Sequence, residues 1–228
     1  MQNLLYKYEV ITMKRFTSSL YLVTDSGLAK KPIEVLVEEA IRGGVDCVQL
    51  REKNIATKNF VALAKTVKNI TTKYNVPLII NDRIDVALAV DADGVHLGQD
   101  DMPLANARKL LPHRMIIGIT ASTINEAIEA QNGGADYIGA SPVFATPTKA
   151  DTAAPLGLEG LQEMKNAVTI PVVAIGGINI HNAEDVLQHG ADCLAVVSAI
   201  VSADDPCHAA TNLATIIKNL RKSNHETE

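Results

Sequence analysis

The sequence lacks the features of membrane, secreted and nucleic-acid-binding proteins. No apolar run approaches the roughly 18 residues that a membrane-spanning helix requires, and no signal-peptide pattern opens the chain. The formal net charge is -5, whereas binding to nucleic acid requires a broad basic surface. We therefore expect a soluble protein with no membrane or nucleic-acid partner, whose basic groups act locally.

Cysteine is also scarce. Cys47, Cys193 and Cys207 form no CxxC pair, and two of the three lie inside apolar runs. A free thiol in such a run behaves as a small hydrophobic side chain. This usage predicts a location in the reducing cytoplasm.

Short apolar runs alternate with amphipathic segments along the chain. Most of these runs lack a strict polar alternation, which is typical of strands that are buried on both faces. The eight candidate strands lie in YLVTD (21–25), RGGVDCVQL (42–50), VPLIIND (76–82), DADGVHLG (91–98), RMIIGIT (114–120), NGGADYIGAS (132–141), IPVVAIGG (170–177) and HGADCLAVVS (189–198).

The segments between the candidate strands have helical spacing of their apolar residues, as in PIEVLVEEAIRGG and TKNFVALAKTVKNITTKY. Strands that alternate with helices predict a parallel sheet, and eight such units indicate an α/β fold, a single-domain (β/α)8 TIM barrel. The alternative is an open doubly wound sheet, but no G-x-G-x-x-G follows the first strand. We expect an N-terminal extension at 1–16, the barrel at 17–220 and a C-terminal tail at 221–228.

The barrel assignment separates structural from chemical polar residues. In such barrels the chemistry lies at the C-terminal ends of the strands, and the opposite end provides stability. Four aspartates precede candidate strands and are expected to have turn roles at the closed end: Asp46, Asp93, Asp136 and Asp192.

Two cations follow the second candidate strand. Arg51 and Lys53 are two residues apart, so both side chains point to one side while Glu52 points to the other. They can converge on one multiply charged anion. The alternative interpretation is a solvated strand end with ordinary surface charges.

Two carboxylates follow neighbouring strands. Asp82 comes directly after LII, and Asp101 follows the next strand. Adjacent strands lie about 4.8 Å apart, so the two carboxylates can share a Mg²⁺ ion. In the alternative, Asp82 or Asp85 caps a helix, and we favour this role for Asp85. For His96 we expect packing within the strand layer.

Later loops offer phosphate contacts. Thr146, Thr148 and Lys149 lie in the long polar segment 141–157, which is either a binding loop or a flexible surface loop. The segments AIGGI (174–178) and AVVSAI (195–200) end the last two strands, where barrels commonly bind phosphate. Glycines used only for tight turns are the alternative there. Two anion sites suggest two phosphorylated substrates.

Six motifs together carry a family resemblance. QLREK (49–53), IINDR (79–83), GVHLGQDD (94–101), ATPTK (145–149), AIGGI and VVSAI (196–200), in this order, resemble the thiamine-phosphate synthase family over about residues 20–215. The resemblance implies a transferase that joins a hydroxymethylpyrimidine diphosphate to a thiazole phosphate with Mg²⁺ as cofactor. It also implies a dissociative step, in which diphosphate leaves before the thiazole nitrogen attacks.

The resemblance also implies site residues. Arg51, Lys53 and Lys149 are the catalytic candidates, and Asp82 with Asp101 the metal ligands. The substrate-binding candidates are Gln49, Arg51, Lys53, Asn81, Thr120, Thr146, Thr148, Lys149, Gly177, Val197 and Ser198.

The sequence departs from the family at two places. GITAS (118–122) has Thr120 and Ser122 where the family commonly has Ser and His, and Ser141 and Ala145 are substituted in the loop. A thiazole tautomerase, a noncatalytic thiazole-phosphate sensor and a sugar-phosphate isomerase on the same fold are alternatives. A homo-oligomer is also left open.

Overall fold

The computed structural model describes residues 16–146 and 154–225, with side chains to Lys222. Eight parallel strands pair in chain order, and β8 pairs with β1, so the sheet closes into a barrel and the (β/α)8 prediction is confirmed. The strands are β1 (Leu20–Val23), β2 (Cys47–Leu50), β3 (Leu78–Asn81), β4 (Gly94–Leu97), β5 (Ile116–Ala121), β6 (Tyr137–Ala140), β7 (Val172–Ile175) and β8 (Cys193–Val196).

Helices connect these strands on the outside of the barrel. In the described ranges they are α1 (Ile33–Arg42), α2 (Thr57–Lys73), α3 (Ile84–Ala89), α4 (Leu104–Leu110), α5 (Ile124–Asn132), α6 (Gly157–Ala167), α7 (Ala183–Gln188), α8 (Ser198–Val201) and α9 (Pro206–His225). Within these ranges, no helix is both long and apolar enough to cross a membrane.

Helix α1 illustrates why these segments are helical. Its buried residues include Ile33, Leu36, Val37 and Ala40, which recur at helical spacing and form one apolar face against the sheet. The chain then turns at Gly44, whose φ of +109° favours glycine. Helix α1 therefore ends immediately before the glycine pair Gly43 and Gly44.

The apolar core has two layers. Outward-pointing strand residues pack under the helices, while a second cluster that includes Tyr21, Ile79, Tyr137 and Val173 fills the barrel interior. Phe16 belongs to this inner cluster, and its ring centroid lies 4.3 Å from that of Tyr137. The barrel therefore includes Phe16, which the sequence placed in the N-terminal extension, while residues 1–15 lie outside the described residues.

At the other end of the chain, α9 continues to His225. The expected tail at 221–228 therefore begins inside a helix. Arg221 shows why the helix extends this far, because its guanidinium donates to Ser19 Oγ and to the carbonyl of Asp192 and so ties the helix to the closed end of the barrel.

The four aspartates before strands lie at the closed end of the barrel, as expected. Each carboxylate accepts a backbone N–H from the start of the preceding strand, so it joins neighbouring strands rather than only shaping a turn. The pairs are Asp46 with Ser19 and Leu20, Asp93 with Leu78, Asp136 with Ile117, and Asp192 with Val172.

Three of these carboxylates also form an ion pair with a basic side chain from a helix. Lys68 on α2 lies 2.6 Å from Asp93, Lys165 on α6 lies 2.7 Å from Asp192, and Arg108 on α4 pairs with Asp136. Each such aspartate thus connects two strands and one helix. The closed end is stabilised by a repeated, partly buried ionic contact.

Replacing Asp136 with alanine is expected to lower the free energy of unfolding by about 2–3 kcal/mol, because it leaves the Ile117 N–H without its acceptor and the Arg108 guanidinium without its carboxylate partner. Urea unfolding followed by circular dichroism measures this loss. Asp204→Ala, at an exposed ion pair with Lys30, is the matched control and should show no measurable change. Equal effects of the two substitutions would contradict the structural role of Asp136.

Candidate active site

A cavity of about 340 Å³ lies at the carboxyl ends of the strands. All eleven predicted site residues that fall within the described ranges line it. They are Gln49, Arg51, Lys53, Asn81, Asp82, Asp101, Thr120, Thr146, Gly177, Val197 and Ser198. Thr148 and Lys149 lie outside the described residues.

The end of β2 supplies the cationic side of the cavity. Gln49, Arg51 and Lys53 line the cavity, whereas the intervening Leu50 is fully buried in the outer core layer. This is the alternation that the spacing of REK predicted. Lys53 forms an ion pair with Asp82, so the cations and the carboxylates lie at the same end of the barrel.

The carboxylate Asp82 is held in an uncommon backbone conformation. Its φ is +60°, in the left-handed region that Asp tolerates better than most residues, and its N–H donates to the carbonyl of His96 at 2.9 Å. Asp101 accepts the N–H of Gly98 at 2.7 Å. The backbone of Asp82 and the carboxylate of Asp101 are thus both held by backbone hydrogen bonds.

Neither Asp82 nor Asp85 caps a helix. Helix α3 begins after Arg83, and no side chain makes a capping hydrogen bond there. Asp85, for which the capping role was favoured, lies in the first turn of α3 and accepts from Arg83 Nε at 2.8 Å. The capping interpretation was wrong because the neighbouring guanidinium engages the carboxylate of Asp85.

The pKa values of the neighbouring carboxylates Asp82 and Asp101 move apart. Burial raises the pKa of Asp82, but hydrogen bonds from Lys53 and Asp101 outweigh it and hold the pKa below its usual value. Burial raises the pKa of Asp101, and the hydrogen bond and charge of Asp82 raise it further. The second carboxylate therefore ionises against the charge of the first.

Such a pair fits a divalent cation, which relieves the repulsion between two carboxylates. The described ranges contain no group of three or more His, Cys, Asp or Glu side chains that could hold a metal ion. Two carboxylates alone are unlike the four ligands of a structural zinc site. Mg²⁺, in contrast, commonly binds one or two carboxylates and completes its shell with water and substrate phosphates.

Asp101→Asn is expected to stabilise the metal-free protein at pH 7, by less than about 1 kcal/mol at this partly exposed site. The amide keeps an acceptor for Gly98 and removes the repulsion from Asp82. Because the pKa of Asp101 is raised in the folded state, its stabilising contribution exists at low pH and is lost as the pH rises through that pKa.

The difference in stability between the Asp101→Asn variant and the unmodified protein should therefore disappear towards pH 4. This pH is near the pKa of an unfolded aspartate, which is about 3.9. Thermal unfolding in a chelator at pH 7 and pH 4 measures it, with Asp100→Asn as the control on the neighbouring exposed residue. A lower melting temperature for Asp101→Asn at pH 7 would contradict the repulsion.

The floor of the cavity is a hydrogen-bonded chain that the sequence did not reveal. Gln49 Nε2 donates to the Tyr21 hydroxyl at 2.9 Å, and the hydroxyls of Tyr21 and Tyr137 lie 2.9 Å apart. His96 joins the chain, with Nδ1 at 3.0 Å from the Tyr137 hydroxyl and Nε2 at 2.9 Å from Thr120 Oγ1. Polar groups therefore cross the cavity from β2 to β5.

The expected packing role of His96 is confirmed, because its ring stacks on Tyr137 with centroids 5.5 Å apart. It also lines the cavity, which the sequence interpretation did not include. Burial raises the pKa of both Tyr21 and Tyr137 well above the usual value, so both phenols stay neutral and can donate hydrogen bonds. The available sequence signal was a tyrosine within each of two fully buried strands.

Two glycines make room for this floor. A Cβ at Gly118 would lie 2.0 Å from Cζ of Tyr137, and a Cβ at Gly139 would lie 2.9 Å from Cε1 of His96. A side chain at either position overlaps an aromatic ring of the floor. The backbones of β5 and β6 must therefore approach these rings without side chains.

The ends of β7 and β8 form the far side of the cavity. Gly176 and Gly177 have φ of +107° and +67°, and the Gly177 carbonyl accepts amide N–H groups from Asn179 at 3.2 Å and Asn182 at 3.0 Å. Engaging this carbonyl fixes the orientation of the turn beside the cavity. Ser198, the first residue of α8, lines the same side.

The turn also packs tightly on the loop after β6. A Cβ at Gly176 would lie 2.7 Å from Cβ of Pro142, and a Cβ at Gly177 would lie 2.8 Å from Cβ of Phe144. The glycines are therefore required by packing as well as by backbone conformation. The phosphate contact that the sequence suggests for these glycines stays a prediction.

A family comparison agrees with this geometry. The sequence profile described as Thiamine monophosphate synthase matches residues 20–200. The chain belongs to this family. It is therefore a transferase of the thiamine-phosphate synthase type, as the motif resemblance predicted.

Individual members of the thiamine-phosphate synthase family support the same assignment. The chain is 54% identical over 198 residues to the thiamine-phosphate synthase of Clostridium novyi, which covers 86% of this chain and 97% of that protein. It is 51% identical over 199 residues to that of Chloroflexus aurantiacus, covering 87% of this chain and 92% of that protein.

A solved structure from the same family has the same fold. Thiamine phosphate pyrophosphorylase from Pyrococcus furiosus superimposes with a TM-score of 0.84 at 44% identity and covers 90% of this chain and 97% of that chain.

The departure from the family at Ser122 has a structural role here, because its hydroxyl donates to the carbonyl of Ser141 at 2.8 Å and links β5 to the loop after β6.

Proposed function

We propose that this thiamine-phosphate synthase couples 4-amino-2-methyl-5-hydroxymethylpyrimidine diphosphate with a thiazole phosphate, using Mg²⁺ held by Asp82 and Asp101. The products are thiamine phosphate and diphosphate. The observation that carries the proposal is the ion pair between Lys53 and Asp82 inside a cavity that also contains Arg51 and Asp101. Cations and a carboxylate pair side by side suit a metal-bound diphosphate.

The diphosphate is assigned to the β2–β4 side of the cavity. Arg51 and Lys53 donate charge-assisted hydrogen bonds to its oxygens, and Asn81, which is nearly buried at the end of β3, adds an uncharged amide. When bound, Mg²⁺ neutralises part of the charge that develops on the departing diphosphate. Lys149, whose role follows from the family resemblance, completes this group, whereas the resemblance places Thr148 against the thiazole substrate.

The pyrimidine ring is assigned to the polar floor. Gln49 is only 4% exposed, and its amide is oriented by the Tyr21 hydroxyl, so its oxygen can be directed at a fixed position on the ring. Thr120 lies at the other end of the same hydrogen-bonded chain. A rigid, largely buried floor orients the substrate at little further entropic cost.

The thiazole phosphate is assigned to the β7–β8 side. Gly177, Val197 and Ser198 surround this side of the cavity, and Thr146 lines its entrance from the loop after β6. Backbone N–H groups beside glycine can approach an anion closely because no side chain intervenes. The two substrates then face each other across one cavity.

These positions suit a dissociative reaction. The carbon–oxygen bond to diphosphate breaks with both electrons leaving on oxygen, and the thiazole nitrogen donates its lone pair to the resulting pyrimidine methyl cation. Arg51 and Lys53 stabilise the leaving group more as its charge grows, so they accelerate the bond cleavage rather than only binding the substrate. No proton has to be removed by a general base.

A thiazole tautomerase on the same barrel is the second candidate. It has no diphosphate to bind, so Arg51, Lys53 and the Asp82–Asp101 pair would have no common role. A noncatalytic thiazole-phosphate sensor would likewise need only the β7–β8 side. Arg51, Lys53, Asp82 and Asp101 all line one cavity, which favours the synthase.

The proposal is tested by incubating the purified protein with the pyrimidine diphosphate, thiazole phosphate and Mg²⁺ and measuring thiamine phosphate by chromatography. Product should require both substrates, and a chelator should reduce the rate at least about 100-fold. Folded protein that forms no thiamine phosphate would contradict the proposal, and conversion of the thiazole phosphate alone would favour the tautomerase.

A further inference from the structure

Two residues after β1 hold the end of β2 in place. The Thr24 N–H donates to the Gln49 carbonyl at 2.9 Å, and the Thr24 hydroxyl accepts the Arg51 N–H at 3.0 Å. The same hydroxyl donates to Oε1 of Glu52 at 3.2 Å. Thr24 thus contacts three of the four residues from 49 to 52.

Asp25 continues this arrangement at the side chain of Arg51. Its Oδ2 accepts from Arg51 Nη1 at 3.2 Å, while its Oδ1 accepts the N–H of Gly27 at 3.0 Å. Both side chains of the ion pair are largely shielded, with 19% exposure for Arg51 and 22% for Asp25. The carboxylate is therefore fixed by the backbone and in turn fixes the guanidinium.

We propose that Thr24 and Asp25 are positioning residues, which aim Arg51 at the diphosphate without contacting the substrate. This inference rests on the proposed function, since it assigns the diphosphate to Arg51. Thr24 fixes where the backbone of Arg51 leaves β2, and Asp25 fixes the direction of its guanidinium.

A direct binding role for either residue does not fit the geometry. Thr24 is fully buried, and neither it nor Asp25 lines the cavity. Asp25 also carries the same charge sign as a diphosphate, so contact would repel the ligand. Asp25 engages Arg51 through one terminal nitrogen, and a guanidinium has five N–H donors in a rigid fork. The donors not used by Asp25 can then be presented to the anion in a fixed orientation.

The test uses the full chain and steady-state kinetics with the pyrimidine diphosphate, thiazole phosphate and Mg²⁺. Asp25→Asn keeps the size of the side chain and removes its charge, and it should lower kcat/KM for the pyrimidine diphosphate about tenfold, as expected for a misdirected catalytic group. Its KM for thiazole phosphate should not change. Thr24→Val should have a similar effect, whereas Thr24→Ser, which keeps the hydroxyl, should stay close to the unmodified enzyme.

A double-mutant cycle separates positioning from a general structural effect. In an Arg51→Ala background, Asp25→Asn should cause no further loss, because its effect acts through Arg51. The same loss in both backgrounds, or no loss in the unmodified background, would overturn the positioning role. If the unmodified protein forms no thiamine phosphate, the proposed function fails first. If it is active and Arg51→Ala is impaired, only the positioning role is under test.

Discussion

Lys53→Ala and Asp82→Ala should each reduce kcat at least about 1000-fold with both substrates and Mg²⁺ present. Lys53 supplies positive charge where the leaving diphosphate becomes more negative, and Asp82 is one of only two carboxylates assigned to the metal. Their mutual ion pair lies at a partly exposed site, so its loss should cost little stability. The activity assay for thiamine phosphate, run beside circular dichroism spectra, measures both effects.

Lys58→Ala is the matched control for the lysine. Lys58 is an exposed residue in the first turn of α2, only a few positions beyond Lys53, and it does not line the cavity. This variant should keep full activity. Retention of more than about a tenth of the activity in folded Lys53→Ala or Asp82→Ala protein would remove the assigned role of that residue.

The second large effect concerns the floor of the cavity. Gly118→Ala should lower the free energy of unfolding by about 3 kcal/mol or more, because the new Cβ would lie 2.0 Å from Cζ of Tyr137. The ring has little room to move, since it is fully buried and packed between Phe16 and His96. Urea unfolding measures the loss.

Two further variants identify the cause of the stability loss in Gly118→Ala. Gly160→Ala, in α6, is the control, because its Cβ meets Leu156 only at 3.4 Å and alanine is the better helix former. It should be neutral or slightly stabilising. Replacing Tyr137 with leucine should make Gly118→Ala far less harmful, and strictly additive effects in this double-mutant cycle would show that the ring is not responsible.

The fold was predictable because each strand has a local signal of its own. Runs such as LII before Asn81 and CVQL before Arg51 are buried on both faces, and the strand-helix alternation leaves few topologies. The rule that chemistry lies at the C-terminal strand ends then brought Asp82 and Lys53 together without knowledge of any contact between them. Assigning them to one end of the barrel required only the direction of the strands.

What could not be predicted depends on register and on distant contacts. Tyr21 and Tyr137 meet across 116 residues, and nothing local distinguishes a tyrosine that closes a polar floor from one that only fills a core. The choice of Asp85 as a helix cap failed for a related reason, since the position of Arg83 relative to that carboxylate depends on where α3 begins. Phe16 likewise carries no sequence signal for its place inside the barrel.

The central claim is that one metal-bound diphosphate fills the gap between the cations after β2 and the carboxylates after β3 and β4. Its most direct test is a crystal structure of the protein with diphosphate and Mn²⁺, which replaces Mg²⁺ and can be located by anomalous scattering. We expect one metal peak between the carboxylates of Asp82 and Asp101, with diphosphate oxygens in contact with both the metal and Arg51. Diphosphate bound at Gly177 and Ser198, with no metal at the two aspartates, would contradict the account.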